Sequence, residues 1–151
     1  MADPMDIFSK PLKRQKTRFG ILFEMRPRKN QQKPGRELIV NFDSRLPVVK
    51  NFKINYSYLV KFQKIGSVAG NHYHLKKQEL FVPVVGKFAI TLQDIKLVQQ
   101  ETIEIDSGKS QVFYVKPKTA HRVRAKTRDA ILLVLATSAN TVKDEFEYQI
   151  K

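Results

Sequence analysis

"GSVAGNHYHLKKQELFVPVVG", residues 66–86, holds two of the three histidines of a 151-residue chain, one residue apart, with Glu79 five positions beyond the second. On a β-strand, side chains two positions apart share a face, so His72 and His74 can converge on one point while Tyr73 faces the other way. The four residues "LKKQ" before Glu79 are enough for a hairpin that sets a carboxylate opposite the imidazoles. Lys76 and Lys77 then fall at its tip, where solvated charge is the default. Pro83, inside the strand-like "LFVPVV", predicts an edge strand or a bulge.

Strand texture continues on both sides. "INYSYLVKF", "KFAITLQDI", "ETIEID", "QVFYVK", "AHRVRA" and "AILLVLA" are rich in β-branched and aromatic residues, and several alternate with period two. In "KFAITLQ", Phe88, Ile90 and Leu92 share one face and Lys87, Thr91 and Gln93 the other, as in a half-buried antiparallel strand. "FGILFEM" (19–25) and "ELIVNF" (37–42) read as earlier strands. Turns at Gly66, Gly70, Gly86 and "DSG" (106–108), with no long amphipathic helix between, predict an all-β sandwich or barrel. Aromatic residues such as Tyr56, Tyr58 and Tyr114 are read as core.

A chain of this length suits one domain with one sizeable core. It has no cysteine, which excludes disulfides and thiolate metal sites. Its longest apolar run, Ala130 to Ala136, is far short of the ~20 residues of a membrane-spanning helix, and the expectation is a soluble, cytoplasmic protein. The formal charge of +14 is uneven, because residues 1–36 alone carry a net +7. The expected organisation is a basic, flexible arm over 1–18, an extension with one or two strands over 19–53, and a barrel over 54–150.

The third histidine opens "HRVRAK". His121, Val123 and Ala125 share one face, and Arg122, Arg124 and Lys126 the other, so His121 can point inward while the two arginines meet solvent or an anionic ligand. Three imidazoles and a carboxylate suit zinc, manganese, iron, nickel or cobalt without choosing among them. The same imidazoles suit proton transfer, and isolated strand histidines are also ordinary structural residues.

Gly66, His72-x-His74, Glu79 and Gly86 match the whole spacing of the first cupin motif, G-x5-H-x-H-x3-4-E-x6-G. "GNHYH" resembles cupin domains of capsular-polysaccharide and nucleotide-sugar enzymes, and "AILLVLATS" with "DEFEYQI" is similar to the end of the cupin-type sugar ketoisomerases. The second motif departs from the pattern: "KPKTAH" places Lys116 and Lys118 where proline and glycine are expected, although Pro117 and His121 are retained. A left-handed lysine at 118 would cost roughly 1–2 kcal/mol, which predicts a differently built turn. Ala69 stands where the sugar-acting subgroup has an arginine.

The resemblance implies a cupin-type antiparallel β-barrel (double-stranded β-helix or jelly roll) with His72, His74, Glu79 and His121 at its mouth as metal ligands. It further implies a homodimer and isomerisation or epimerisation of a nucleotide-linked or other anionic sugar in polysaccharide or nucleotide-sugar metabolism. A divalent metal ion is expected and no organic cofactor. In metal-free ketoisomerases of this kind the motif histidines, here His72 and His74, are the acid and base. Arg122 and Arg124 are candidate anion contacts. Two other readings stand beside this one: a non-catalytic module binding a small ligand or, through "KPLKRQKTR", nucleic acid, and an iron or manganese oxygenase.

Overall fold

The computed structural model describes residues 2–97 and 99–151. Its strands are β1 (Pro11–Lys16), β2 (Gly20–Met25), β3 (Arg28–Lys29), β4 (Glu37–Leu38), β5 (Tyr56–Phe62), β6 (Val68–Tyr73), β7 (Glu79–Val85), β8 (Lys87–Asp94), β9 (Gln100–Asp106), β10 (Gln111–Val115), β11 (Thr119–Ala125), β12 (Ala130–Ala136) and β13 (Phe146–Glu147). Two antiparallel sheets face each other, a six-stranded one ordered β1-β2-β10-β7-β12-β5 and a five-stranded one ordered β13-β6-β11-β8-β9. This is the all-β cupin-type architecture. Among the described residues no helix is long and apolar enough to cross a membrane.

Alternation along the strands builds the interior. In β12, Ala130, Leu132, Val134 and Ala136 are buried and the residues between them half-buried. Phe81, Phe113 and Leu132 from one sheet meet Phe88, Ile90 and Val123 from the other. The six-stranded sheet is covered on its second face too. There Ile21, Phe23, Leu80, Val82 and Val112 pack with Phe52, and Ile39, Phe42 and Val49 close over them. Burial on both faces explains why β7 reads as a continuous apolar run.

Four expectations change. "ELIVNF" is a strand only over Glu37–Leu38, and its apolar residues serve to cover the sheet. Pro11–Lys16 is not part of a flexible arm; it pairs with β2 as the sheet's edge strand. A 3-10 turn over Pro4–Ser9 precedes it, and Ser9 Oγ donates to Asp43 (2.7 Å). Pro83 lies on an interior strand, at a register shift opposite Ile131 and Leu132, so the bulge reading holds and the edge reading does not. The turn before β11 keeps a left-handed residue, Lys118 (φ 64°), whose N–H donates to the His74 carbonyl.

Candidate active site and metal centre

His72 and His121 are cross-strand partners on β6 and β11, so their rings lie 4.8 Å apart, edge to face. Their strands approach closely at Gly70 (φ +97°), where a Cβ would sit 2.6 Å from the His121 carbonyl oxygen. His74 follows just past the end of β6, with its ring 4.9 Å from that of His72. Glu79 does not arrive by a hairpin. It opens β7 in the facing sheet, between β10 and β12, and points inward on the same face as Phe81. The residues from 75 to 78 are a crossover from one sheet to the other, which lets ligands close in sequence approach the cluster from two walls.

His121 Nε2 is 3.2 Å and His74 Nε2 3.7 Å from Glu79 Oε2. The nitrogens of His72, His74 and His121 lie within 4.8 Å of one another, a spacing suited to a metal ion. Backbone carbonyls fix two tautomers. His74 Nδ1 faces the Asp144 oxygen (2.6 Å) and His121 Nδ1 the Thr119 oxygen (3.1 Å). A carbonyl only accepts, so both Nδ1 atoms carry the proton and both Nε2 atoms turn toward Glu79. His74 Nε2 and Glu79 Oε2 are buried without a hydrogen-bond partner among the described residues. Lone pairs converging in this way suit a cation, so this donor set can accept a divalent metal.

The other carboxylate oxygen is taken. Tyr58 OH donates to Glu79 Oε1 (3.2 Å), and Lys77 Nζ lies 3.3 Å from the same atom. Lys77, expected at a solvated tip, has a side chain only 1% exposed. It donates to Asn140 Oδ1 and lies 5.8 Å and 5.6 Å from the ring centroids of Tyr56 and Tyr58. Burial pushes the Glu79 carboxyl up, but the adjacent His121, with Lys77 and His74, outweighs it and holds the value at about 2. Burial, and then the neighbouring His121 and His74, lower His72 to about 4, so its imidazole is neutral at physiological pH. Burial and the Glu79 charge raise Tyr58, which stays protonated.

Beside the cluster is a cavity of about 180 Å³, lined by Tyr58, His72, Phe81, His121, Asn140 and Glu145 among others. His74 stands behind this wall. A larger hollow of about 690 Å³ at the β1–β2 edge has no histidine in its lining. Arg122 and Arg124 point out of the opposite face of β11, where they donate to the carbonyls of Ile150 (3.4 Å) and Gly66 (3.2 Å). Strand alternation sets them on the face of β11 away from His121, as expected, and neither lines the cavity.

The sequence profile of the family described as "FdtA: WxcM-like, C-terminal" matches residues 27–149. The chain belongs to this family. Among curated proteins, no sequence matches it. Solved structures similar to this WxcM-like chain include a 3,4-ketoisomerase from Helicobacter canadensis, at 17% identity and a TM-score of 0.69, covering 83% of this chain and 87% of that one. QdtA, a sugar 3,4-ketoisomerase from Thermoanaerobacterium thermosaccharolyticum in complex with TDP, is 19% identical with a TM-score of 0.69, over 87% and 89%. RmlC from Legionella pneumophila Philadelphia 1, a dTDP-6-deoxy-D-glucose-3,5-epimerase in complex with dTDP-4-keto-L-rhamnose, is 14% identical with a TM-score of 0.74, over 89% and 76%. At these identities the likeness is one of fold.

The reading of residues alone missed Tyr58, Lys77, Asn140, Asp144 and Glu145 as neighbours of the site. Lys77 sits inside the histidine–glutamate spacing and was the one signal within reach. The others come from β5 and the C-terminal tail, which no local pattern links to β6.

Proposed function

We propose that the protein isomerises or epimerises a keto-sugar, carried on a nucleotide or another anionic group, by moving a proton next to the carbonyl. The observation that carries this reading is the convergence of a neutral His72, His121 and the protonated Tyr58 on one small cavity inside a barrel of the FdtA-type family. QdtA and RmlC, which share the fold, support the substrate class through the TDP and the dTDP-4-keto sugar of their complexes.

A cavity of about 180 Å³ is below the roughly 300–1,000 Å³ of pockets that enclose whole drug-sized ligands. It suits the sugar ring, with the anionic carrier outside. Ala69 lines the cavity and brings no guanidinium to the carrier. His72 accepts the proton from the carbon beside the carbonyl, and the electrons of the broken C–H bond form a C=C bond as the carbonyl pair moves to oxygen. The Tyr58 hydroxyl, which donates to Glu79 Oε1 in the free site, turns its one proton from Glu79 to that oxygen. In isomerisation His72 returns its proton to the former carbonyl carbon while the hydroxyl on the adjacent carbon gives its proton to the Tyr58 oxygen and becomes the new carbonyl. In epimerisation the enol O–H returns its proton to Tyr58 as the carbonyl re-forms, a solvent proton enters the opposite face of the same carbon, and His72 releases its own to solvent.

His74 does not line the cavity, so its place in this scheme is to pack beside His72 and Glu79 rather than to transfer the proton, a revision of its reading as one of the acid–base pair. His72, His74 and His121 would hold a divalent ion, with Glu79 beside them, and such an ion supplies Lewis-acid polarisation of a carbonyl. A His72 that ligates cannot also serve as base. Incubation with 4-keto nucleotide sugars in D2O tests the reading: deuterium enters the carbon next to the carbonyl if it is right and stays out of every such sugar if it is wrong.

A further inference from the structure

Lys77 is a buried cation that a metal-binding cupin site does not need. Its ammonium lies 3.3 Å from Glu79 Oε1, is bonded to Asn140 and is flanked by two tyrosine rings, all within a side chain 1% exposed. A buried carboxylate requires a counter-charge, and here the chain provides it without any ion. We propose that Lys77 is a built-in counter-ion that occupies the electrostatic role of a metal and so keeps the three-histidine cluster a weak binder of divalent cations. The inference rests on the geometry of the cluster and not on the sugar reading.

Charge bookkeeping gives the direction. The Lys77 ammonium and the Glu79 carboxylate already balance each other at 3.3 Å, both with buried side chains. A divalent ion among the three imidazoles adds two positive charges next to an ammonium that solvent does not screen. Glu79 can also give the ion only one free oxygen, because Oε1 is held by Tyr58 and Lys77. Removing the ammonium while keeping the length of the side chain leaves Glu79 uncompensated, and a metal then becomes the available counter-charge.

The test is metal affinity. Zn2+ titrated by calorimetry and Co2+ titrated by its visible absorbance are compared for the metal-stripped wild type, Lys77→Met, Lys77→Gln and Lys77→Arg, each checked for a cooperative thermal transition. Both neutral variants are expected to bind at least about tenfold more tightly than wild type, and the arginine variant no more tightly. Adding His74→Ala to Lys77→Met should abolish the gain. Equal or weaker binding by a folded neutral variant overturns the proposal, as does a gain that survives His74→Ala. If no neutral variant folds, the wild type decides: a dissociation constant below about 10 nM at neutral pH contradicts a weak site, and one above about 1 µM supports it.

Discussion

The Asp144 carbonyl oxygen accepts the Nδ1 proton of His74 at 2.6 Å, while the Asp144 carboxylate receives the backbone N–H groups of Leu75, Lys76 and Lys77. One tail residue therefore fixes both the tautomer of a cluster histidine and the crossover that leads from it to Glu79.

Replacing Asp144 by Ala frees three N–H groups and loosens that crossover. The expected loss is about 1–3 kcal/mol in urea unfolding, in the range for hydrogen bonds to a charged group. Nitrogen-15 spectra of the His74 ring should show its tautomer becoming mixed. An unchanged ring signal would show that the Asp144 carbonyl keeps its place without the carboxylate.

Gly70→Ala should cost about 2 kcal/mol or more, because φ is +97° and the new Cβ would meet the His121 carbonyl oxygen at 2.6 Å. The strain would part β6 from β11 where His72 and His121 face each other. Denaturant melts measure the cost, and ligand affinity should fall with it.

Lys118→Gly should stabilise the protein by about 0.5–1 kcal/mol. The exposed lysine is left-handed (φ 64°), at a cost of about 1–2 kcal/mol that glycine avoids, offset in part by the greater freedom of glycine in the unfolded chain. A shift of the urea midpoint to higher concentration is the expected result.

Asp43 anchors the N-terminal turn. The Arg45 guanidinium, then the Ser9 hydroxyl, hold its carboxyl well below the usual carboxylate range. A depressed value means the anchor contributes fully above the unfolded pKa of about 3.9 and is lost as pH falls through the folded one. Amide exchange around Ser9 should therefore stay slow at neutral pH and quicken only in strong acid. Asp43→Asn should exchange quickly across the range.

Much of the barrel was legible because its signals are local. Period two in "KFAITLQ" and "AILLVLA" reports one buried face, and the His72, His74 and Glu79 spacing fits within eight residues. What was not legible depends on a second layer or on distant chain. Ile39 and Phe42 look like strand residues, yet they cover a sheet that is apolar on both faces. Lys77 looks like a hairpin tip until Asn140 and Tyr58, from far along the chain, enclose it. Pro11–Lys16 reads as a solvated arm because an edge strand whose side chains are mostly exposed shows no apolar alternation.

The central claim, that His72 is the base in a keto-sugar proton transfer, is tested most directly by solvent deuterium exchange into 4-keto nucleotide sugars, comparing wild type with His72→Ala. The account predicts deuterium beside the carbonyl with wild type and a rate at least about 100-fold lower in the folded variant. Exchange at the same rate in both proteins, or none in the wild type with any such sugar, would contradict it.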